Sequence, residues 1–150
     1  MKDENRALLA PCGLYCGVCG ILIAHRDNNQ KFKERLSTVY GVKPEELACK
    51  GCLSDTVFGY CRRCAIKSCT RERGYEGCHQ CDEFPCAHVN AFPMPVGKKV
   101  MLRAIPQWRE LGTEKWVTAE LARYHCPSCG RELFRGAKRC RHCKEPVDQD

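Results

Sequence analysis

Residues 12–20 read CGLYCGVCG, with three cysteines in the spacing C-x3-C-x2-C and a glycine after each one. Thiols this close together along a chain are typical ligands of one metal centre. Three kinds of site fit the triplet: an iron–sulfur cluster, a zinc ion or a reactive thiol. The cysteines concerned are Cys12, Cys16 and Cys19.

The chain has fifteen cysteines in 150 residues, and twelve of them pair as C-x2-C, at 16/19, 49/52, 61/64, 78/81, 126/129 and 140/143. Two thiols with that spacing are poor disulfide partners but good ligands for one tetrahedral ion. The odd number of cysteines also argues against a disulfide scaffold. The pattern therefore predicts a metal protein in a reducing compartment.

The first residues, MKDENRALLA, are charged and are followed by Pro11, so they do not resemble a signal or transit peptide. The longest apolar run, residues 18–24, is too short to cross a bilayer. We therefore expect a cytoplasmic protein without a membrane partner.

The apolar content indicates that metal contributes to folding. Leu, Ile, Val and Phe total 29 residues, near the level below which chains tend not to collapse. Structural zinc contributes on the order of 10–16 kcal/mol per site at neutral pH. The formal charge of +7 would vanish if all fifteen cysteines bound four Zn²⁺ as thiolates, so a globally cationic nucleic-acid binder is not established.

An internal repeat occupies the middle of the chain. The pattern C-x2-C-x4-C at 61–69 recurs at 78–86, offset by 17 residues. With the pair at 49/52 this region has eight cysteines, enough for two four-ligand sites that are either sequential or interleaved. These eight are Cys49, Cys52, Cys61, Cys64, Cys69, Cys78, Cys81 and Cys86.

The C-terminal stretch CPSCGRELFRGAKRCRHCKEPV, residues 126–147, has the spacing C-x2-C-x10-C-x2-C. Two such knuckles joined by a ten-residue link predict a zinc-ribbon hairpin. CPxCG also occurs in iron knuckles of the rubredoxin type, but the ligand type and spacing favour zinc. The predicted ligands are Cys126, Cys129, Cys140 and Cys143.

The triplet is similar to the cluster loop of radical S-adenosylmethionine enzymes, but 150 residues without βα alternation cannot form their barrel. An iron–sulfur redox or electron-transfer protein, with one [4Fe–4S] cluster on Cys12, Cys16 and Cys19, stays open as an alternative. Zinc throughout, as three to four ions, is the preferred interpretation. Eleven cysteines before the ribbon are one short of three full sites, so His88, or next His25, is a candidate ligand; His79, His125 and His142 are expected to face solvent.

Helices are predicted over residues 17–40 with Gly41 as the cap, over 64–74, and on both sides of Gly112. Pro106 should break or kink the first of the last pair, and Thr113 should be the N-cap of the second. Both tryptophans, Trp108 and Trp116, are expected in the core.

Four motifs in order, CGLYCGVCG, CKGC, CRRCAIKSC and GCHQCDEFPC, together resemble the Cys-rich family called domain of unknown function 3795. The helical stretch IPQWRELGTEKW is similar to the following segment of that family, and a C-terminal ribbon is an accessory of some members. The resemblance covers about residues 10–147. It implies a zinc-binding role, no known reaction and no fixed histidine ligand.

These observations predict a small metal-rich α+β protein of short helices and zinc knuckles with a C-terminal zinc-ribbon hairpin. The predicted segments are a zinc-knuckle region (1–95), a helical segment packed on it (96–125) and the ribbon (126–150). We expect a zinc-binding, non-catalytic adaptor without a small-molecule substrate. It would bind a protein or a nucleic acid through the basic ribbon residues Arg131, Arg135, Lys138, Arg139, Arg141 and Lys144, with Phe134 as the one stacking aromatic.

Overall fold

The regular structure is almost entirely helical. The computed structural model describes residues 1–150. Its α-helices are α1 (Asp3–Arg6), α2 (Gly20–Arg26), α3 (Gln30–Tyr40), α4 (Gly59–Arg62), α5 (Ala65–Glu72), α6 (Ala87–Asn90), α7 (Pro95–Leu111) and α8 (Thr113–Arg123). Short 3₁₀ helices cover Cys16–Val18, Pro44–Glu46 and Cys78–Gln80. None of these helices combines the length and the apolar character needed to cross a bilayer.

The β structure is limited to two isolated bridges, His125 with Glu132 and Arg139 with Pro146. The predicted α+β class and the ribbon hairpin are therefore not confirmed. Each bridge closes the loop of one knuckle, and the residues between the knuckles turn toward the body instead of pairing with each other.

Local sequence signals explain the helix boundaries. The side chain of Asn29 accepts the amide proton of Phe32 at 3.0 Å at the start of α3. Gly41 ends that helix in the left-handed region with φ 67°, which confirms the predicted cap. The predicted helix after Cys64 is α5, and Gly74 follows it with φ 69°.

Two predictions about the last helices were wrong. The predicted break at Pro106 is absent, because α7 runs through this residue, which lies on its exposed side. The N-cap of α8 is Gly112, not Thr113. The hydroxyl of Thr113 instead accepts the indole proton of Trp108 at 2.9 Å and donates to Glu76 at 2.8 Å, so it satisfies a buried donor.

The tryptophans form the centre of the main core, as predicted. Trp108 and Trp116 are fully buried and stack with ring centroids 4.2 Å apart. Tyr15 from the CGLYCGVCG loop packs edge-on against Trp116 at 6.0 Å. α7 and α8 thus provide the surface that supports the N-terminal cysteines.

The main core draws buried residues from all three predicted segments, including Leu9, Ile105 and Leu133. A second, smaller core lies between α2, α3 and the loop around Leu47. Seven cysteines are buried among these apolar side chains, so the thiols and the core share one interior.

One ion pair joins α7 to α8. Arg103 donates to the two carboxylate oxygens of Glu120 at 2.5 and 3.2 Å, and Glu120 is 1% exposed. We predict that Glu120→Gln destabilises the fold by about 2–3 kcal/mol, because the guanidinium loses its charged acceptor. Denaturant unfolding measures the effect, and the exposed Glu110→Gln on the same helix pair is the matched control. Equal losses for the two variants would contradict the assignment.

Candidate metal centres

The two halves of the C-terminal segment repeat one local structure, 14 residues apart. The amide of Cys126 donates to the carbonyl of Arg131 at 2.8 Å, and the amide of Cys140 donates to Glu145 at 2.9 Å. The bridges that close the knuckles follow the same offset. Each half therefore presents two cysteines at equivalent positions of one tight turn.

The four sulfurs of the C-terminal segment, called the ribbon site below, lie close enough together to hold one ion. The Sγ atoms of Cys126 and Cys143 are 3.6 Å apart, and those of Cys129 and Cys140 are 3.7 Å apart. All four lie within 4.8 Å of one another. Zinc–sulfur bonds of about 2.3 Å require an edge of about 3.8 Å between sulfurs, so the cavity fits one ion.

Backbone donors favour thiolates in the ribbon site. The amides of Cys129 and Ser128 lower the pKa of Cys126. Burial opposes ionisation of Cys140, but the amides of Cys143 and His142 outweigh it and lower the pKa of that thiol. The neighbouring thiols raise the pKa of Cys143 to about 12, so the backbone donors favour the thiolate form at only part of the site.

Four further cysteines line a separate cavity of about 240 Å³ and are called the four-thiol group: Cys69, Cys78, Cys81 and Cys86. Burial, followed by the charges of its neighbours, raises the pKa of Cys78 to about 12. Their sulfurs do not meet as closely as those of the ribbon site. The exposed side chain of His88 borders the same cavity, where four thiols are already available.

The remaining cysteines form the seven-thiol group: Cys12, Cys16, Cys19, Cys49, Cys52, Cys61 and Cys64. The N-terminal triplet therefore lies beside two of the C-x2-C pairs from the middle region. Only the four ribbon sulfurs lie within 4.8 Å of one another, so the structure does not bring the seven sulfurs together at one point. Cys64 also lies within electrostatic range of Cys78, so the two groups are neighbours.

The turn between the ribbon knuckles packs on the CGLYCGVCG loop. The amide of Arg135 donates to the carbonyl of Val18 at 2.8 Å, and its guanidinium donates to Tyr15 at 3.0 Å. Phe134 lies against Phe32 with ring centroids 5.0 Å apart. The ribbon is thus joined to the N-terminal loop by main-chain and side-chain contacts.

Residues 8–91 match a family described as "Protein of unknown function (DUF3795)", which is more than half of the chain. The chain belongs to this family. No curated protein and no solved structure matches it. The DUF3795 segment contains the seven-thiol and four-thiol groups, and the ribbon site lies outside it.

The histidines of the DUF3795 protein differ in their surroundings. His125 and His142 are exposed, as predicted. The prediction for His79 was wrong, because its ring stacks on Trp108 at 3.9 Å. Nδ1 of His79 and Nδ1 of His25 are both buried without a hydrogen-bond partner.

Sequence analysis missed two charged residues at the seven-thiol group. Lys67 is 7% exposed, and its ammonium donates to the carbonyl of Cys52 at 3.0 Å. Arg135, expected on a basic surface, is directed inward at the N-terminal loop. The spacing from Cys64 to Lys67 places these two residues on one face of a helix, and this is the sequence signal that could have found Lys67. For Arg135 the sequence has no such signal.

Each ribbon knuckle has one residue with positive φ at the equivalent position. This residue is Gly130, with φ 75°, in the first knuckle and Lys144, with φ 67°, in the second. We predict that Lys144→Gly stabilises the protein by about 0.5–1 kcal/mol, because glycine adopts positive φ without strain. Gly130→Ala should cost about 1 kcal/mol, since its Cβ meets no atom within 4 Å and only the backbone conformation is tested. Thermal unfolding measures both, and a gain for the exposed Lys138→Gly equal to that of Lys144→Gly would contradict this account.

Proposed function

We propose that this protein is a zinc-dependent, non-catalytic binding protein in which the ribbon site holds one wall of a binding cleft. The observation that carries the zinc assignment is the pair of sulfur separations, 3.6 and 3.7 Å, in the ribbon site. A single ion with four thiolate ligands has no open position for substrate. The ribbon site is therefore structural in this proposal.

The cleft lies between α3, the loop around Phe58 and the ribbon, and its volume is about 1190 Å³. Cys140 of the ribbon site lines it, as does Phe134. Zinc in the ribbon site would thus fix the position of this wall. Loss of zinc should open the cleft as well as unfold the knuckles.

The cleft combines apolar and basic side chains. Val39 is 70% exposed and Tyr60 is 44% exposed where they line the cleft, so both are available to an apolar partner group. Two acidic residues, Glu45 and Glu46, are outnumbered by the basic ones that line it, Arg35, Arg62, Arg63, Arg135, Arg139, Arg141 and Lys144. This composition supports an acidic partner segment that also carries apolar anchors.

The nucleic-acid alternative has weaker support at the ribbon. Its one aromatic side chain, Phe134, packs on Phe32 and so has one face occupied. The guanidinium of Arg141 lies over the Phe32 ring, 4.4 Å from the centroid. Two residues expected to contact a nucleic acid are thus used in internal packing.

Removal of one ribbon ligand tests the zinc assignment. We predict that Cys129→Ser loses one zinc ion per chain and lowers the thermal midpoint by roughly 10 °C or more, since structural zinc contributes several kcal/mol. Elemental analysis and calorimetry measure the two effects. Ser128→Ala in the same knuckle is the matched control and should keep its zinc. A full zinc count in Cys129→Ser would contradict the proposal.

Charge reversal tests the cleft. We predict that Arg62→Glu with Arg63→Glu weakens binding of a fluorescent peptide of alternating Glu and Leu roughly tenfold, because exposed ion pairs contribute about 0.2–1 kcal/mol each. Fluorescence anisotropy at two salt concentrations measures the affinity. The matched control, Lys99→Glu with Lys115→Glu, changes the same total charge on exposed residues that do not line the cleft. Equal weakening in both variants, or tighter binding of a single-stranded oligonucleotide than of the peptide, would contradict the acidic-partner proposal.

A further inference from the structure

Three basic side chains of the second ribbon knuckle line the large cleft and are called the knuckle cations below: Arg139, Arg141 and Lys144. The first knuckle forms the same turn, with the equivalent bridge and the equivalent backbone hydrogen bond at its first cysteine. At the positions 14 residues earlier it has His125, Pro127 and Gly130, none of which lines the cleft. The turn therefore forms without the three charges, and their presence in the second knuckle has another reason.

Lys144 occupies a backbone conformation that favours glycine. Its φ is 67°, and its amide donates to the carbonyl of Cys140 at 3.1 Å. In the first knuckle Gly130, with φ 75°, makes the equivalent bond to the carbonyl of Cys126 at 2.8 Å. Residues that keep a disfavoured backbone conformation cluster at active sites and ligand clamps. The retained lysine therefore indicates that its side chain has a role at the cleft.

Contacts within the knuckle hold the three side chains in place. The guanidinium of Arg139 donates to the carbonyl of Lys144 at 2.6 Å, and the ammonium of Lys144 donates to the carbonyl of Arg141 at 2.6 Å. The guanidinium of Arg141 lies over the Phe32 ring. A guanidinium has five N–H donors and an ammonium has three, so these contacts leave donors free for a ligand.

No carboxylate neutralises the knuckle cations. The ion pairs of the protein, at a limit of 4.0 Å, include none of the three. Asp27 is within electrostatic range of Arg141, but its carboxylate accepts two hydrogen bonds from Arg26, at 2.7 and 3.0 Å. Nε of Arg141 is buried and has no hydrogen-bond partner. Three positive charges within six residues are thus available to a negative group in the cleft.

The number of charges and donors indicates which negative group fits. A carboxylate carries one negative charge, whereas a phosphate monoester carries about 1.5 to 2 at pH 7 and has three strong acceptor oxygens. Guanidinium groups also match the geometry of phosphate with paired N–H donors. Resting on the acidic-partner proposal, we propose that the knuckle cations form a subsite for a phosphorylated side chain of the partner segment.

Three peptides of one sequence test the subsite on the unaltered full chain. The peptide of alternating Glu and Leu carries phosphoserine, glutamate or serine at its central acidic position, and fluorescence anisotropy measures the three affinities. The phosphoserine peptide should bind roughly tenfold more tightly than the glutamate peptide, which corresponds to one additional charge-assisted hydrogen bond. Equal affinities of these two peptides would overturn the phosphate subsite.

Failure of this proposal and failure of the acidic-partner proposal are distinguishable. Arg62→Glu with Arg63→Glu should weaken binding of all three peptides by a similar factor and keep the order of their affinities, because these residues lie outside the second knuckle. Weakened glutamate-peptide binding in that variant, without any preference of the unaltered chain for phosphoserine, would overturn the subsite alone. Absence of binding for all three peptides would overturn both proposals.

Lys144→Gly separates binding from folding, because it removes one knuckle cation and relieves the backbone. The variant should unfold at a higher temperature and yet bind the phosphoserine peptide roughly tenfold more weakly, with little change for the serine peptide. Lys115→Gln, which removes one charge from an exposed residue outside the cleft, is the matched control. A preference for phosphoserine as large in Lys144→Gly as in Lys115→Gln would overturn the subsite.

Discussion

Cysteine sulfur is the group around which the rest of this structure is arranged. Six C-x2-C pairs and three further cysteines lie on short helical turns and knuckles, and most of these turns are too short to be stable alone. Buried thiols such as Cys16 and Cys52 also form part of the main apolar core. A change at the sulfurs is therefore a change in the core.

The contact between the ribbon and the N-terminal loop connects the ribbon site with the N-terminal cysteines. Arg135 contributes both its amide and its guanidinium to that contact, and Phe134 adds an aromatic pair with Phe32. Because these two residues lie in the turn between the knuckles, the geometry of the ribbon site determines where they point. The same turn borders the large cleft, so its position also determines the shape of the proposed binding surface.

α7 and α8 have a supporting role without any cysteine. The stack of Trp108 on Trp116 is extended by His79 on one side, and Tyr15 packs edge-on against Trp116. These contacts join the N-terminal loop to the 3₁₀ helix at Cys78–Gln80 through one aromatic layer. This aromatic layer therefore supports both cysteine-bearing segments.

The sequence by itself determined the features that depend on near neighbours in the chain. The knuckle spacing predicted the ribbon ligands that meet at 3.6–3.7 Å, Gly41 predicted the end of α3, and four ordered motifs predicted the family. Tertiary structure alone decided which distant groups surround the other eleven cysteines, and it directed the ammonium of Lys67 to the carbonyl of Cys52 and the guanidinium of Arg135 to that of Tyr15. The reason is physical: spacing of a few residues fixes which side chains share a turn, whereas the partners of a buried charge or thiol come from distant segments that only the packed core brings together.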